Sequence, residues 1–308
     1  MNMQHYRSIE EITLQNSWLT IGVFDGIHLG HQEIMKLLTA GAHVNKMPAV
    51  VLTFHPHPAN ILGRGEIGLL TLPDERAELL TGMGVDVVIT EPFTKELSTV
   101  SAFDFMSRLT RALGLKHLLI GYDFALGKGR EGNATRLTEI GRQLGYTVEV
   151  VSALGDESGV ISSTEIRKLV SVGSVSEARR LLGRPYALQG PVIRGDGRGK
   201  KIGVPTANID YPHEKIVPAL GIYAGWAYVA DKRHKAAISI GINPTFTPDK
   251  NVPSVEAYIL DFDEDIYGEQ LKIEFIARLR DELKFDSVET LVKQIWQDVE
   301  ETRKLLNA

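Results

Sequence analysis

Over its first 152 residues the chain alternates short apolar runs with helix-patterned segments, and after residue 185 the alternation gives way to β-rich runs between glycine, proline and charged turns. Residues 19–24, 50–54, 85–89, 117–121 and 147–151 are apolar runs of strand length, while 73–80, 102–113 and 134–144 carry helical periodicity. This order predicts an α/β domain, a doubly wound parallel sheet whose ligands sit outside the carboxyl ends of its strands. Residues 162–170 and 175–182 read as two short helices, and Gly183-Arg184-Pro185 breaks the pattern. The expected domains are therefore residues 1–184 and 185–308. In the second, residues 221–230, 236–240, 255–260 and 271–275 predict a compact antiparallel β-barrel. A terminal helix over 287–306 presents Val288, Leu291, Ile295 and Val299 as an apolar stripe for packing. A length of 308 residues and a hydrophobic content of 43% suffice for two cores.

Composition narrows the chemistry. The absence of cysteine excludes disulfides, thiolate metal sites and cysteine nucleophiles, and it fits a reducing compartment. The opening MNMQHYRSIEEITLQ lacks a basic stretch leading into an apolar one, and no apolar run approaches membrane-spanning length, so a cytoplasmic protein without a membrane partner is expected. A net charge of −5 argues against nucleic acid as a partner. Small phosphorylated molecules met by local basic groups suit the pattern better.

Residues 22–31, GVFDGIHLGH, join the first apolar run to a helix through a turn at Asp25-Gly26. From His31 onward Ile34, Leu37 and Leu38 fall on one helix face. His28 and His31 thus sit where unpaired backbone N–H groups gather at a helix start, a ready anion site. Imidazole donors fixed three residues apart can stabilise charge growing on a bridging phosphate oxygen, the need of adenylyl transfer. A bare His-x-x-His serves equally as a helix cap, and zinc lacks a third ligand at recognisable spacing.

Three further segments follow other strands. TFHPHP at 53–58 brings His55 and His57 to the same sheet edge, and GYDFALG at 121–127 offers Asp123 with close-approach glycines. ISSTEIR at 161–167 opens a helix with Ser162, Ser163 and Thr164, followed by Arg167, a set able to grip a triphosphate. Each alone reads as an N-cap, a turn or a solvated loop. Four such features on one ligand-binding edge point to a nucleotide site.

In the second half, GPVIRGDGRGKKIGVPTAN at 190–208 combines flexible glycines, Gly195 and Gly197 among them, with Arg194, Arg198, Lys200 and Lys201. Glycines let backbone N–H groups approach phosphates, whose charge the basic side chains offset. Thr206 and Asn208, two apart, would present oxygen ligands to Mg²⁺ from one strand face. The segment lacks Gly-Lys-Ser/Thr and the surrounding strand and helix of a Walker loop, and a mobile basic loop is its plain alternative. In VEAYILDFDEDIYG at 255–268, Val255, Ala257 and Ile259 face one way and Glu256 the other, where its carboxylate could accept a proton from an attacking alcohol. Asp261, Asp263, Glu264 and Asp265 read as a hydrated turn.

The four segments of the first half together resemble the FMN adenylyltransferase module of bacterial FAD synthetases, a branch of the His-x-Gly-His nucleotidyltransferases. The resemblance implies that His28 and His31 engage ATP phosphates, with Gly22, Phe24, Gly26, Ser162, Ser163, Thr164 and Arg167 also binding ATP, and His57 and Asp123 holding the flavin substrate. His55 and Leu126 depart from the family's usual aspartate and aromatic at those places. Residues 190–208, Asn243-Pro244-Thr245, 255–268 and 279–285, in that order, resemble bacterial riboflavin kinase. This implies a six-stranded barrel in which Gly195, Gly197 and Lys201 meet ATP, Thr206 and Asn208 sit at Mg–ATP, and Glu256 acts as base on the ribityl hydroxyl. The whole chain is similar to the bifunctional riboflavin kinase/FAD synthetase family, with riboflavin, FMN and ATP as expected substrates.

Overall fold

The computed structural model describes residues 4–63, 65–152, 155–156, 159–195, 197, 199, 202–230, 232–242 and 253–307. By internal contacts the chain divides into two compact units, Met1–Ser163 and Thr164–Ala308.

The first unit runs β1 (Gln4–Tyr6), β2 (Ser17–Ile21), α1 (Leu29–Val44), β3 (Ala49–His55), α2 (Pro58–Ile61), α3 (Pro73–Gly82), β4 (Val87–Pro92), α4 (Ala102–Leu113), β5 (Leu115–Gly121), α5 (Ala134–Leu144) and β6 (Thr147–Val151). A two-stranded ribbon follows, β7 (Gly155–Asp156) with β8 (Gly159–Val160). The six main strands lie in the order β1-β4-β3-β2-β5-β6, every pair parallel, which is the doubly wound sheet the alternation predicts. Because both faces are covered, alternate strand residues feed two cores: Leu19, Leu52 and Ile120 pack with Met106 and Ile140 on one side, and Val51, Val88 and Leu119 with Leu38 and Leu80 on the other.

Helix limits follow local chemistry. α4 starts at Ser101, whose Oγ accepts from Asp104 N at 3.1 Å, and α5 at Asn133, whose Oδ1 accepts from Arg136 N at 3.0 Å. Both end on left-handed glycines, Gly114 and Gly145. Two expectations need correction. β2 stops at Ile21, short of Phe24, because Phe24 takes a left-handed backbone with φ of 49° that no strand tolerates. On α1 the buried stripe is Met35, Leu38 and Ala42, which leaves Leu37 36% exposed at its margin.

The second unit opens with α6 (Ser163–Ser171), which begins at the dividing residue, and α7 (Val175–Leu182). β9 (Tyr186–Ile193), β10 (Ala207–Ile209), β11 (Gly221–Val229), β12 (Lys232–Gly241), β13 (Ser254–Ile259) and β14 (Gln270–Arg280) close a barrel in the order β10-β13-β12-β11-β14-β9, all antiparallel, before α8 (Val288–Asn307). The contact division falls two helices before Gly183, since α7 packs on the barrel and Ser176 Oγ donates to Ile276 O at 3.1 Å. The stripe expected on α8 is only partly packing surface. Val299 is buried, but Val288 is exposed and the other inward residues are Asp298 and Thr302. The reason is an ion pair: Arg280 on β14 donates to Asp298 through Nε at 2.9 Å and Nη2 at 2.7 Å, turning a charged helix position toward the barrel.

Candidate active sites

After β2 the turn that carries the histidines is built from strained backbone. Phe24, Gly26 and Ile27 have φ of 49°, 81° and 42°, and a left-handed phenylalanine or isoleucine costs about 1–2 kcal/mol. A Cβ on Gly22 would lie 2.7 Å from the Phe24 ring, so only glycine admits the chain reversal there. What over-determines the turn is buried and polar. The Asp25 carboxylate accepts from Leu70 N at 3.0 Å, Thr71 N at 2.9 Å and Thr71 Oγ1 at 3.1 Å. Thr71 Oγ1 in turn accepts from Gly26 N at 2.9 Å. Arg76 of α3, fully buried, lies 3.7 Å from Asp25 and donates to Thr53 Oγ1 and Thr71 O, both at 2.9 Å. Thr53 closes the ring by donating to Val23 O at 2.8 Å.

On this platform His28 occupies the N-cap of α1 and is buried. Its ring stacks on His31 at 3.7 Å, and Phe24 meets His31 edge-on at 5.2 Å. Burial, then His28, then the Arg76 guanidinium hold the His31 imidazole well below its ordinary pKa. Its buried Nδ1 has no hydrogen-bond partner among the described residues. A His31 ring held neutral at a helix N-terminus can donate an N–H group to an oxyanion without carrying charge itself. Ser163 belongs to the same turn, its Oγ donating to Asp25 O at 2.8 Å. Ser162 precedes it half-buried, whereas Thr164 and Arg167 lie on α6 in the second unit.

A cavity of about 620 Å³ opens beside the strand ends, lined by Gly22, Val23, Phe54, His57, Phe93, Phe105, Asp123, Leu126 and Arg130 among others. Gly22, His57 and Asp123, singled out from different segments, thus share one wall system. His57 caps α2, its Nδ1 accepting from Ala59 N at 3.1 Å, while His55 ends β3 half-buried. Phe24 sends its ring into the core under α1.

In the barrel, Glu256 on β13 sits opposite Asn208 on β10, and Thr206 Oγ1, just before β10, donates to Glu256 Oε2 at 2.8 Å. Val255, Ala257 and Ile259 are buried and Glu256 half-buried, as the alternation requires. A Cβ on Gly195 would come within 2.4 Å of the Asn208 amide, so the glycine loop passes directly over it. Gly197 is left-handed, with φ of 65°. Lys201, Arg198, Lys200 and residues 243–245 lie outside the described residues. Two cavities meet at Thr206. One of about 320 Å³ is lined by Ala207, Phe262, Asp263 and Tyr267, and one of about 340 Å³ by Glu256, Tyr258, Arg280, Phe285, Leu291 and Ile295. The acidic turn is exposed, as expected; Asp263, Glu264 and Asp265 also border the first cavity, and Asp261 pairs with Arg303, whose hydrogen bond lowers its pKa. Leu291 and Ile295 of the α8 stripe face the second.

Sequence reasoning missed Thr71 and Arg76, and on the barrel Arg280 and Asp298. The available signal was Arg76 at a core-facing position of α3, one residue before buried Ala77 and four before buried Leu80. Among the described residues no helix is long and apolar enough to cross a membrane, and no cluster of three or more histidine, aspartate and glutamate side chains is arranged to hold a metal ion.

Comparison with known proteins covers both halves of the chain. The family model for FAD synthetase matches residues 10–165 and that for riboflavin kinase residues 182–306. The bifunctional riboflavin kinase/FMN adenylyltransferase of Listeria monocytogenes is 39% identical over 305 residues, covering 98% of this chain and 96% of that one. Its counterpart from Bacillus subtilis is 35% identical, covering 92% and 91%. A solved structure described as a macrolide-efflux protein from Streptococcus pneumoniae superposes with a TM-score of 0.89 at 33% identity, covering 97% of this chain and 98% of that one. With both family models matched in order and near full-length relatives, the chain belongs to the bifunctional riboflavin kinase/FMN adenylyltransferase family, enzymes of two ATP-dependent transfers.

Proposed function

We propose that residues 185–308 phosphorylate riboflavin to FMN and that residues 1–184 then adenylylate FMN to FAD with release of pyrophosphate, in the cytoplasm. The observation that carries the first half is Thr206, which lines both barrel cavities while its hydroxyl donates to Glu256. ATP in one cavity and riboflavin in the other would meet at that pair. The ribityl 5′-oxygen attacks the γ-phosphorus, its proton passes to the Glu256 carboxylate, and the bond to the β-phosphate oxygen breaks to release ADP. The hydroxyl of Thr206 and the amide oxygen of Asn208 are hard oxygen donors and would hold the Mg²⁺ of Mg–ATP, which supplies charge neutralisation between adjacent phosphates. Gly195, Gly197 and Lys201 would cradle the phosphate chain.

For adenylyl transfer, an oxygen of the FMN phosphate attacks the α-phosphorus and the bond from that phosphorus to the bridging oxygen breaks. His28 and His31 donate to the leaving pyrophosphate, helped by Ser162, Ser163, Thr164 and Arg167, while the backbone at Gly22, Phe24 and Gly26 keeps the phosphates in line. His57 and Asp123 would contact the flavin in the 620 Å³ cavity. No covalent enzyme intermediate is needed. The test is a product time course resolved by chromatography. His28→Ala and His31→Ala should abolish FAD while FMN accumulates from riboflavin. Glu256→Ala should slow FMN formation by about two to four orders of magnitude yet still make FAD from supplied FMN. Unchanged FAD output in the histidine variants would remove them from the chemistry.

A further inference from the structure

Most of the 620 Å³ cavity wall is apolar, and among its described lining residues Arg130 is the one that carries a full positive charge. His57 on the same wall is engaged in capping α2, its Nδ1 accepting from Ala59 N at 3.1 Å. Asp123 adds a negative charge to the same wall. Arg130 itself is held in an unfavourable way. Its φ is 62°, directly after Gly129 at 64°, and its side chain folds back so that Nη2 donates to Asp123 O at 3.0 Å. The remaining guanidinium donors have no protein partner among the described residues. A cationic side chain carried on a left-handed backbone at a cavity wall suits a ligand clamp, and a phosphate dianion entering an apolar site needs a fixed positive group to meet it.

We propose that Arg130 contacts substrate in adenylyl transfer: its planar guanidinium pairs with two oxygens of the FMN phosphate, leaving the third for attack, and thereby distinguishes the phosphorylated flavin from riboflavin. This rests on the reading of the cavity as the flavin site of that reaction. The full-length enzyme is assayed for FAD formation from FMN, with lumiflavin, which has neither phosphate nor a hydroxyl to phosphorylate, as competitor. Arg130→Gln should raise KM for FMN about ten- to a hundred-fold, leave KM for ATP and the inhibition constant of lumiflavin within about twofold, and leave FMN formation from riboflavin unchanged. Arg130→Lys should recover part of the loss. Arg130→Gly, which relaxes the left-handed backbone, should lose FMN affinity while melting no lower than the parent. An unaltered KM for FMN overturns the proposal, and so does an equal weakening of lumiflavin, which would assign the residue to the ring. Leu126→Trp, which fills the cavity, should weaken FMN and lumiflavin together. If it moves neither, the cavity reading falls and the proposal with it.

Discussion

At the scale of single residues, the histidine turn is held by buried polar groups beneath it. The turn bearing His28 holds three left-handed residues, and the energy that keeps them there comes from Asp25, Thr71, Thr53 and Arg76. Asp25 and Arg76 are each 1% exposed, so neither can fall back on water if its partner is removed. Arg76→Met keeps the volume of the side chain but strands the Asp25 carboxylate. It should cost about 3–5 kcal/mol of stability, read as a lowered urea midpoint, and FAD formation should fall with it. A midpoint within error of the parent would mean that the backbone donors to Asp25 hold the turn alone.

At the scale of elements, α1 shows how one side chain fixes a helix against its sheet. A Cβ on Gly41 would stand 2.1 Å from the Trp18 ring, which also packs against the tilted His117 ring at 4.0 Å. Gly41→Ala should therefore destabilise by about 1–3 kcal/mol through overpacking, although alanine alone would favour the helix by about 1 kcal/mol. Gly82, at the end of α3 with nothing within 4 Å of a built Cβ, is the internal control: Gly82→Ala should raise the melting temperature. Opposite signs in the two melts check the argument. The same locality explains what could be read from sequence. α4 and α5 were readable to the residue because Ser101 and Asn133 cap them and Gly114 and Gly145 stop them, all within one turn of chain. β1 was not readable, since three residues owe their extended form to β4, more than 80 positions away. The histidine turn, His57, Asp123, the Thr206–Asn208 spacing and Glu256 each stood out within local motifs, whereas the Thr206–Glu256 contact and the wall shared by His57 and Asp123 are made by the fold. Arg76 and Arg280 did not, because a cation on an amphipathic element reads as solvent-facing until the fold supplies its buried carboxylate.

At the scale of the whole molecule, the cavities are lined by separate stretches of chain: the 620 Å³ cavity by residues between 21 and 130, the two barrel cavities by residues between 192 and 298. If FMN forms at Glu256 and is adenylylated beside His28, as proposed, and is released between the two steps, the intermediate is exposed to exchange with bulk FMN. Supplying the enzyme with labelled riboflavin, Mg–ATP and a rising excess of unlabelled FMN should dilute the label in FAD in proportion to the free FMN pool, while total FAD formation stays at the rate set by that pool. With no added FMN, FAD should appear after a lag during which FMN builds up, because the second step waits on its concentration. Label reaching FAD undiluted, with no lag, would mean that the product is handed across without release.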